Sequence, residues 1–293
     1  MNKYLLVMGI RFFAMVLTMI LLQSCVKNLV DEDDFILQNG GKELQMHIPK
    51  GTSLKDATTS LDIYAVEKMV LSGYIGGHNL AFLRNLAGGD NCDFLFERNL
   101  GVLDIKNCHF VSGEEVYYCR DGVDLKIQAF PGIPAYAFEN CYVLNTITLP
   151  DSFGGYYNID KGAFMGCLLL RYVNWGNHVC KIKEDAFRGC STLAFNEPLV
   201  LPEGLEQISD RAFMDTHPYS VNLPSSIEYI GEYAFSLISK NIVIRAENPP
   251  QITTTSFMFY EKSERILSVP KQSIEKYKIE PYISIFSRIM AIE

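Results

Sequence analysis

The chain has 293 residues, of which 48% are hydrophobic and 20% charged, a balance that excludes a wholly disordered chain and supplies enough apolar material for a core. Its formal charge is −8 with no Lys/Arg cluster to offset it, which argues against a phosphate backbone as partner and excludes nucleic-acid binding from the expected functions.

The N-terminus reads as an export signal. "MNKYLLVMGIR" supplies two positive charges, and "FFAMVLTMILL" follows as an apolar run. The uncharged stretch from Phe12 to Val26 is 15 residues long, short of the roughly 20 that a permanent membrane helix needs. It ends in "LLQSC", which resembles the lipobox of bacterial lipoproteins. That resemblance implies a signal peptide over residues 1–24 and acylation of Cys25, a two-chain anchor that serves as the only membrane element. Removing residues 1–24 takes away Lys3 and Arg11 and leaves a mature charge of −10. Residues 25–41 are then an acidic tether. Asp31 to Asp34 are four consecutive acids. They read equally as a solvated spacer and as a stretch resembling the signal that sends some lipoproteins to the outer face of the outer membrane.

Further along, one phrase recurs. "YAFENC", "GAFMGC" and "DAFRGC" are followed by weaker copies, with phenylalanines at 138, 164, 187, 213, 235 and 257, spaced 26, 23, 26, 22 and 22 residues apart. Five residues before each lies an isoleucine: Ile133, Ile159, Ile182, Ile208, Ile230 and Ile252. The residue just before each Phe is Ala, or Ser256 in the last copy. After each phrase comes a short alternating segment, such as "LNTITLP", "LRYVNWG" and "VNLP", and "LGVLDIKNC" is an earlier one without the Phe phrase. Alternation that ends at a turn former indicates a strand with one buried face. A unit this short cannot close its own core, but stacked units can, by aligning equivalent side chains into columns. The expected product is a parallel sheet rising about 4.8 Å per coil.

The pattern "IxxxAFxxCxxLxxIxLP" is similar to the BspA-like, or treponemal-type, leucine-rich repeats of surface lipoproteins of Gram-negative bacteria. The resemblance implies an α/β repeat solenoid: a right-handed superhelix with a single curved parallel sheet, short helical or irregular segments opposite, and a cap at each end. Repeats would occupy residues 100–270. "KELQMHIPKGTSLKDA" through "KMVLSGYIGGHNLAFLRNLAG" resembles an N-terminal cap, giving residues 42–99, and "VPKQSIEKYKIEPYISIFSRIMAI" a C-terminal cap, giving 271–293, without the family's usual Trp. The resemblance further implies an outer-membrane lipoprotein facing the cell exterior, monomeric, with a host or cell-surface protein or glycan as partner. The alternative is a non-catalytic accessory subunit docked to an envelope or glycan-uptake partner.

Chemistry is hard to find. Seven cysteines besides Cys25 contain no CxxC pair, and seven is odd for a full disulfide set. Cys141, Cys167 and Cys190 fall on equivalent positions, which suits a packing column, although a disulfide or metal role stays open. The slot holds Thr216, Ile238 and Tyr260 in later copies. The five histidines are scattered, and "SGYIGG" lacks the Lys and Ser/Thr that a phosphate loop needs. No enzyme, cofactor or metal site is expected. Binding is expected on the strand face, where alternation points Asp104, Thr146, Thr148, Tyr172, Asn174 and Asn222 outward. Trp175 falls in an inward slot.

Overall fold

The structure, a computed structural model, describes residues 35–89, 98–129, 132–151, 154–236, 241–258 and 265–292. The export signal, Cys25, the acidic run and Cys92 lie outside these residues. Among the described residues no helix is long and apolar enough to cross a membrane.

The isoleucine column closes into a ladder. The strands Gly132–Ile133, Tyr157–Ile159, Val179–Ile182, Gln207–Ile208, Tyr229–Ile230 and Gln251–Ile252 pair in parallel. Ile133, Ile159, Ile182, Ile208, Ile230 and Ile252 are successive partners in it. All but Ile252 are buried. The phenylalanines form a second column. Consecutive rings from Phe138 to Phe257 stack with centroids 5.0 to 5.6 Å apart and planes within 12° of parallel. Stacking at this offset adds about 0.5–1.5 kcal/mol per pair to the burial of the rings. Alanine precedes Phe because the slot is closed: Ala137, Ala163, Ala186, Ala212 and Ala234 have no exposed surface.

The turn that carries the Phe has its own backbone rule. Two residues before Phe, Tyr136, Gly162, Asp185, Arg211 and Tyr233 take φ between 54° and 60°; two after, Asn140, Gly166, Gly189 and Asp215 lie between 57° and 75°. That is the left-handed region, open to glycine and tolerated by Asn and Asp. It accounts for the Gly in "GAFMGC" and "DAFRGC". The turn thereby aims alternate N–H groups at the following coil. Phe138, Phe164, Phe187 and Phe213 donate to the carbonyls of Ala163, Ala186, Ala212 and Ala234 at 2.7–2.8 Å.

The first turn has no Ala-Phe coil before it. Its carbonyls at Ala135, Ala137 and Glu139 are the counterparts of those that accept from a preceding turn elsewhere. The Tyr117 hydroxyl donates to Ala135 O (2.5 Å), and the buried Arg84 donates to Ala137 O (3.0 Å), Glu139 O (3.4 Å) and Tyr136 O (2.7 Å). Arg84 comes from the helix Gly77–Leu86 and lies 3.8 Å from the Tyr118 ring centroid. Two side chains thus replace one missing coil.

The strand face differs from the single curved sheet expected. One parallel sheet takes Glu43–Ile48, Lys68–Ile75, Val102–Phe110, Thr146–Thr148 and Tyr172–Asn174. A separate one takes Pro198–Val200, Ser220–Leu223, Asn241–Ile244, Ile266–Val269 and Arg288–Ala291. The break falls at "AFNEPLVLP". Twelve residues separate Phe187 from Leu199, where nine separate Phe164 from Val173 and eight Phe213 from Val221. The surplus is taken up by left-handed Ala194 (φ 50°) and Asn196 (φ 62°), and register is lost between the two strands. The opposite side is likewise not merely irregular, because the isoleucine ladder is a third sheet. Strand pairing also continues upstream of residue 100 and downstream of 270. Leu44, Met69 and Leu103 are consecutive register partners, as are Leu267 and Ile289.

Candidate functional site

The strand alternation positions the predicted binding residues. Leu103, Ile147 and Leu149 are buried, so their neighbours face outward. In the first sheet Asp104, Thr148 and Asn174 are direct register partners and form one row across three coils. Thr146 and Tyr172 form a second row with Val102, two residues earlier along each strand. Side chains of the first row bond locally. Asn174 Nδ2 donates to Thr148 Oγ1 (3.1 Å), and Asp104 accepts from the Lys106 amide (2.9 Å). Tyr172 is anchored at the rim: its hydroxyl donates to Glu197 Oε1 (3.4 Å), which also pairs with Arg171 Nη2 (3.3 Å).

Asn222 is not part of this group. It lies in the other strand sheet, in a row with Val200, Val243, Ser268 and Met290, a mostly apolar line. The extra residues at 194–197 are what separate it. Trp175 is half-buried with its ring edge-on to Phe187 at 5.5 Å, as its inward slot implies.

Missed from sequence is an outward row on the isoleucine ladder: Asn158, Lys181, Gln207, Tyr229 and Gln251 are register partners. Its signal, a polar residue one before each Ile from Ile159 to Ile252, is present in the sequence but occupies strands too short to show alternation. Salt bridges flank it at Lys161–Glu184 (2.8 Å) and Lys183–Asp160 (3.4 Å). The Lys161 ammonium, bonded to Glu184 and seconded by Arg211, holds the Glu184 carboxyl below the usual carboxylate range.

The cysteine column is a packing column with weak hydrogen bonds. Cys141, Cys167 and Cys190 are fully buried and unpaired with one another as disulfides. Cys167 Sγ donates to Phe138 O (2.9 Å) and Cys190 Sγ to Phe164 O (3.1 Å), each reaching the preceding coil. Burial pushes the Cys167 thiol well above its ordinary range. Burial, with help from Glu206, pushes the half-buried Cys180 up to about 11. Such thiols are poor nucleophiles. Among the described residues no group of three or more His, Cys, Asp and Glu could hold a metal ion. The Gly-rich "SGYIGG" opens a helix whose N-terminus is already occupied by an internal carboxylate: Glu115 Oε2 accepts from the His78 amide (3.0 Å).

The match to a protein family agrees with this architecture. A family model described as the BspA type leucine rich repeat region matches in six copies, over residues 111–241 and 157–280. Among solved structures the chain is similar to a leucine-rich repeat protein from Bacteroides ovatus ATCC 8483, at 17% identity over 55% of this chain and 64% of that one, with a TM-score of 0.33. It is also similar to the pneumococcal vaccine antigen PcpA, at 15% identity over 85% of this chain and 68% of that one, with a TM-score of 0.41. The chain thus spans less than two thirds of the first of these. No curated protein matches it.

Proposed function

This chain belongs to the BspA-type leucine-rich-repeat family, and from that premise we propose that it is a cell-surface lipoprotein whose repeats bind a macromolecule, a host or cell-surface protein or a glycan. Acylated Cys25 holds it in the outer membrane, the acidic tether lifts the repeats outward, and its role is recognition without catalysis. The observation that carries the reading is the pair of rows on the first strand sheet. Five polar or aromatic side chains from three coils share one face in strict register, which is how a solenoid presents side chains to a large partner.

The test uses the full chain in cells. Cys25→Ala releases it from the membrane fraction and abolishes incorporation of a labelled fatty acid. Protease treatment of intact cells removes the wild-type repeats. Resistance while known surface markers are cut sinks the surface assignment and favours an accessory subunit facing the periplasm. Cells carrying Tyr172→Ala with Asn174→Ala lose binding to whichever matrix protein or glycan the wild type retains. Unchanged binding sinks the assignment of the face.

A further inference from the structure

The surplus residues that split the strand face leave two strand edges turned toward each other and unpaired. The direction of each edge follows from the ladder on its far side. The Tyr172 amide donates to Asn145 O (3.1 Å) and Asn174 O accepts from the Leu149 amide (2.9 Å), so both residues turn their main-chain groups to the preceding coil and Val173 turns its own forward. Glu197 O accepts from the Tyr219 amide (3.1 Å) and the Leu201 amide donates to Asn222 O (3.0 Å), so Pro198 and Val200 face back toward Val173. The two edges do not meet. Most Cα pairs between Tyr172–Asn174 and Pro198–Val200 lie beyond 8 Å, whereas most pairs between either strand and its ladder partner lie inside that distance. Among the described residues, the N–H and C=O of Val173, the N–H and C=O of Val200 and the Pro198 carbonyl have no hydrogen-bond partner. The core records the same gap. Leu103, Ile147, Leu199 and Val221 fill the inward column and are buried, but Val173 in that column is only half-buried, because the strand that would cover it stands off. The opening starts just past Arg171, whose carbonyl is taken by the Ala194 amide (3.2 Å).

The unpaired groups select their occupant. A helix has its main chain already bonded, and a glycan has no row of amides, so neither offers donors and acceptors at the strand period. An extended polypeptide offers both along each edge, and every second side chain can cover Val173. A strand seated between two others holds them about 9.6 Å apart, twice the interstrand step. Pro198 has no N–H to give, which narrows its edge and limits indiscriminate strand pairing. We propose that an extended polypeptide segment of a partner inserts as a strand between Tyr172–Asn174 and Pro198–Val200, bonded to Val173 on one side and Val200 on the other, with an apolar side chain over Val173. The inserted strand joins the two strand sheets into one. This is a main-chain site, separate from the side-chain rows on the first sheet.

The experiment uses the full chain in detergent and fluorescent peptides. The first, VLNTITL, copies this chain's own strand at residues 143–149. A second carries the same side chains with alternate amides N-methylated, and a third replaces the apolar residues by serine. Only the first binds, and it raises hydrogen-exchange protection at the Val173 and Val200 amides. Val200→Pro removes a donor that the fold itself leaves unused, so affinity falls about tenfold while the thermal midpoint holds. Deleting residues 194–196 restores the nine-residue spacing found between Phe164 and Val173, zips the two strands together and abolishes binding. The proposal is overturned if the first peptide does not bind, if the methylated or serine peptide binds equally, if the two amides stay unprotected, if Val200→Pro leaves affinity unchanged, or if a folded deletion variant still binds. Each of these outcomes leaves the reading of the polar rows standing, since that is judged on cells from side-chain variants at 172 and 174.

Discussion

Replacing Arg84 tests whether two side chains stand in for a coil. Arg84→Met keeps the apolar stem and removes the donors to Tyr136 O, Ala137 O and Glu139 O. A buried acceptor left without a partner costs about 1–3 kcal/mol. Tyr136 O keeps the Glu139 amide (3.2 Å), so Ala137 O and Glu139 O are the two orphaned, and deleting a buried guanidinium returns part of its own desolvation penalty. The net destabilisation expected is about 3 kcal/mol. Tyr117→Phe orphans only Ala135 O and should cost about 1–2 kcal/mol. Urea unfolding reads both, as a lower midpoint at unchanged slope. Hydrogen exchange locates the loss: amides of residues 136–141 lose protection, while those of 241–244 keep theirs. If Arg84→Met costs no more than Tyr117→Phe, or if protection falls uniformly, the two side chains do not substitute for a coil.

Phe187→Ala removes the ring between Phe164 and Phe213 and should cost about 3–5 kcal/mol in chemical unfolding. Gly189→Ala has room, its nearest neighbour being Gly166 Cα at 3.7 Å from the added Cβ, so it isolates the left-handed penalty at about 1 kcal/mol. Alkylation at pH 8 followed by peptide mass spectrometry should label exposed Cys119 before buried Cys108, Cys141, Cys167 or Cys190. Prior labelling of Cys190 would contradict the packing column. Glu184 has a depressed pKa in the fold, so its stabilisation is present above the unfolded-state value and lost as pH falls through the lower folded-state value. Glu184→Gln therefore narrows the stability difference between neutral and acid pH. An unaltered acid limb in unfolding titrations counts against the Lys161–Glu184–Arg211 arrangement.

The coil was legible in the sequence because its central column uses one residue type. Ile133 to Ile252 sit at a fixed distance from Phe, and the fold brings them into one ladder. The alternation in "LNTITLP" and "LRYVNWG" likewise revealed which side chains of the first sheet share a face. The break between Asn174 and Val200 was visible only as surplus residues, since its effect depends on register across coils. Arg84 and Tyr117 were invisible, because they act once, on carbonyls up to 55 residues away, and repeat nowhere. The early strands escaped for another reason. Lys42 meets Glu67, His47 meets Ser72 and Leu54 meets Asn79 at a constant step of 25 residues, but the paired residues differ in chemistry and carry no Ala-Phe phrase.

The Ala-Phe turns give N–H groups forward and carbonyls backward, so every internal junction along them is chemically the same junction. Excising residues 188–213, one whole period from after Phe187 through Phe213, would join a turn to a turn of the same kind, with Phe187 followed by Met214. The special pieces at Arg84 and Tyr117 would be untouched. Length is therefore a free parameter of this molecule, adjustable in steps of one period by duplication or loss of 22 to 26 residues without redesigning either end.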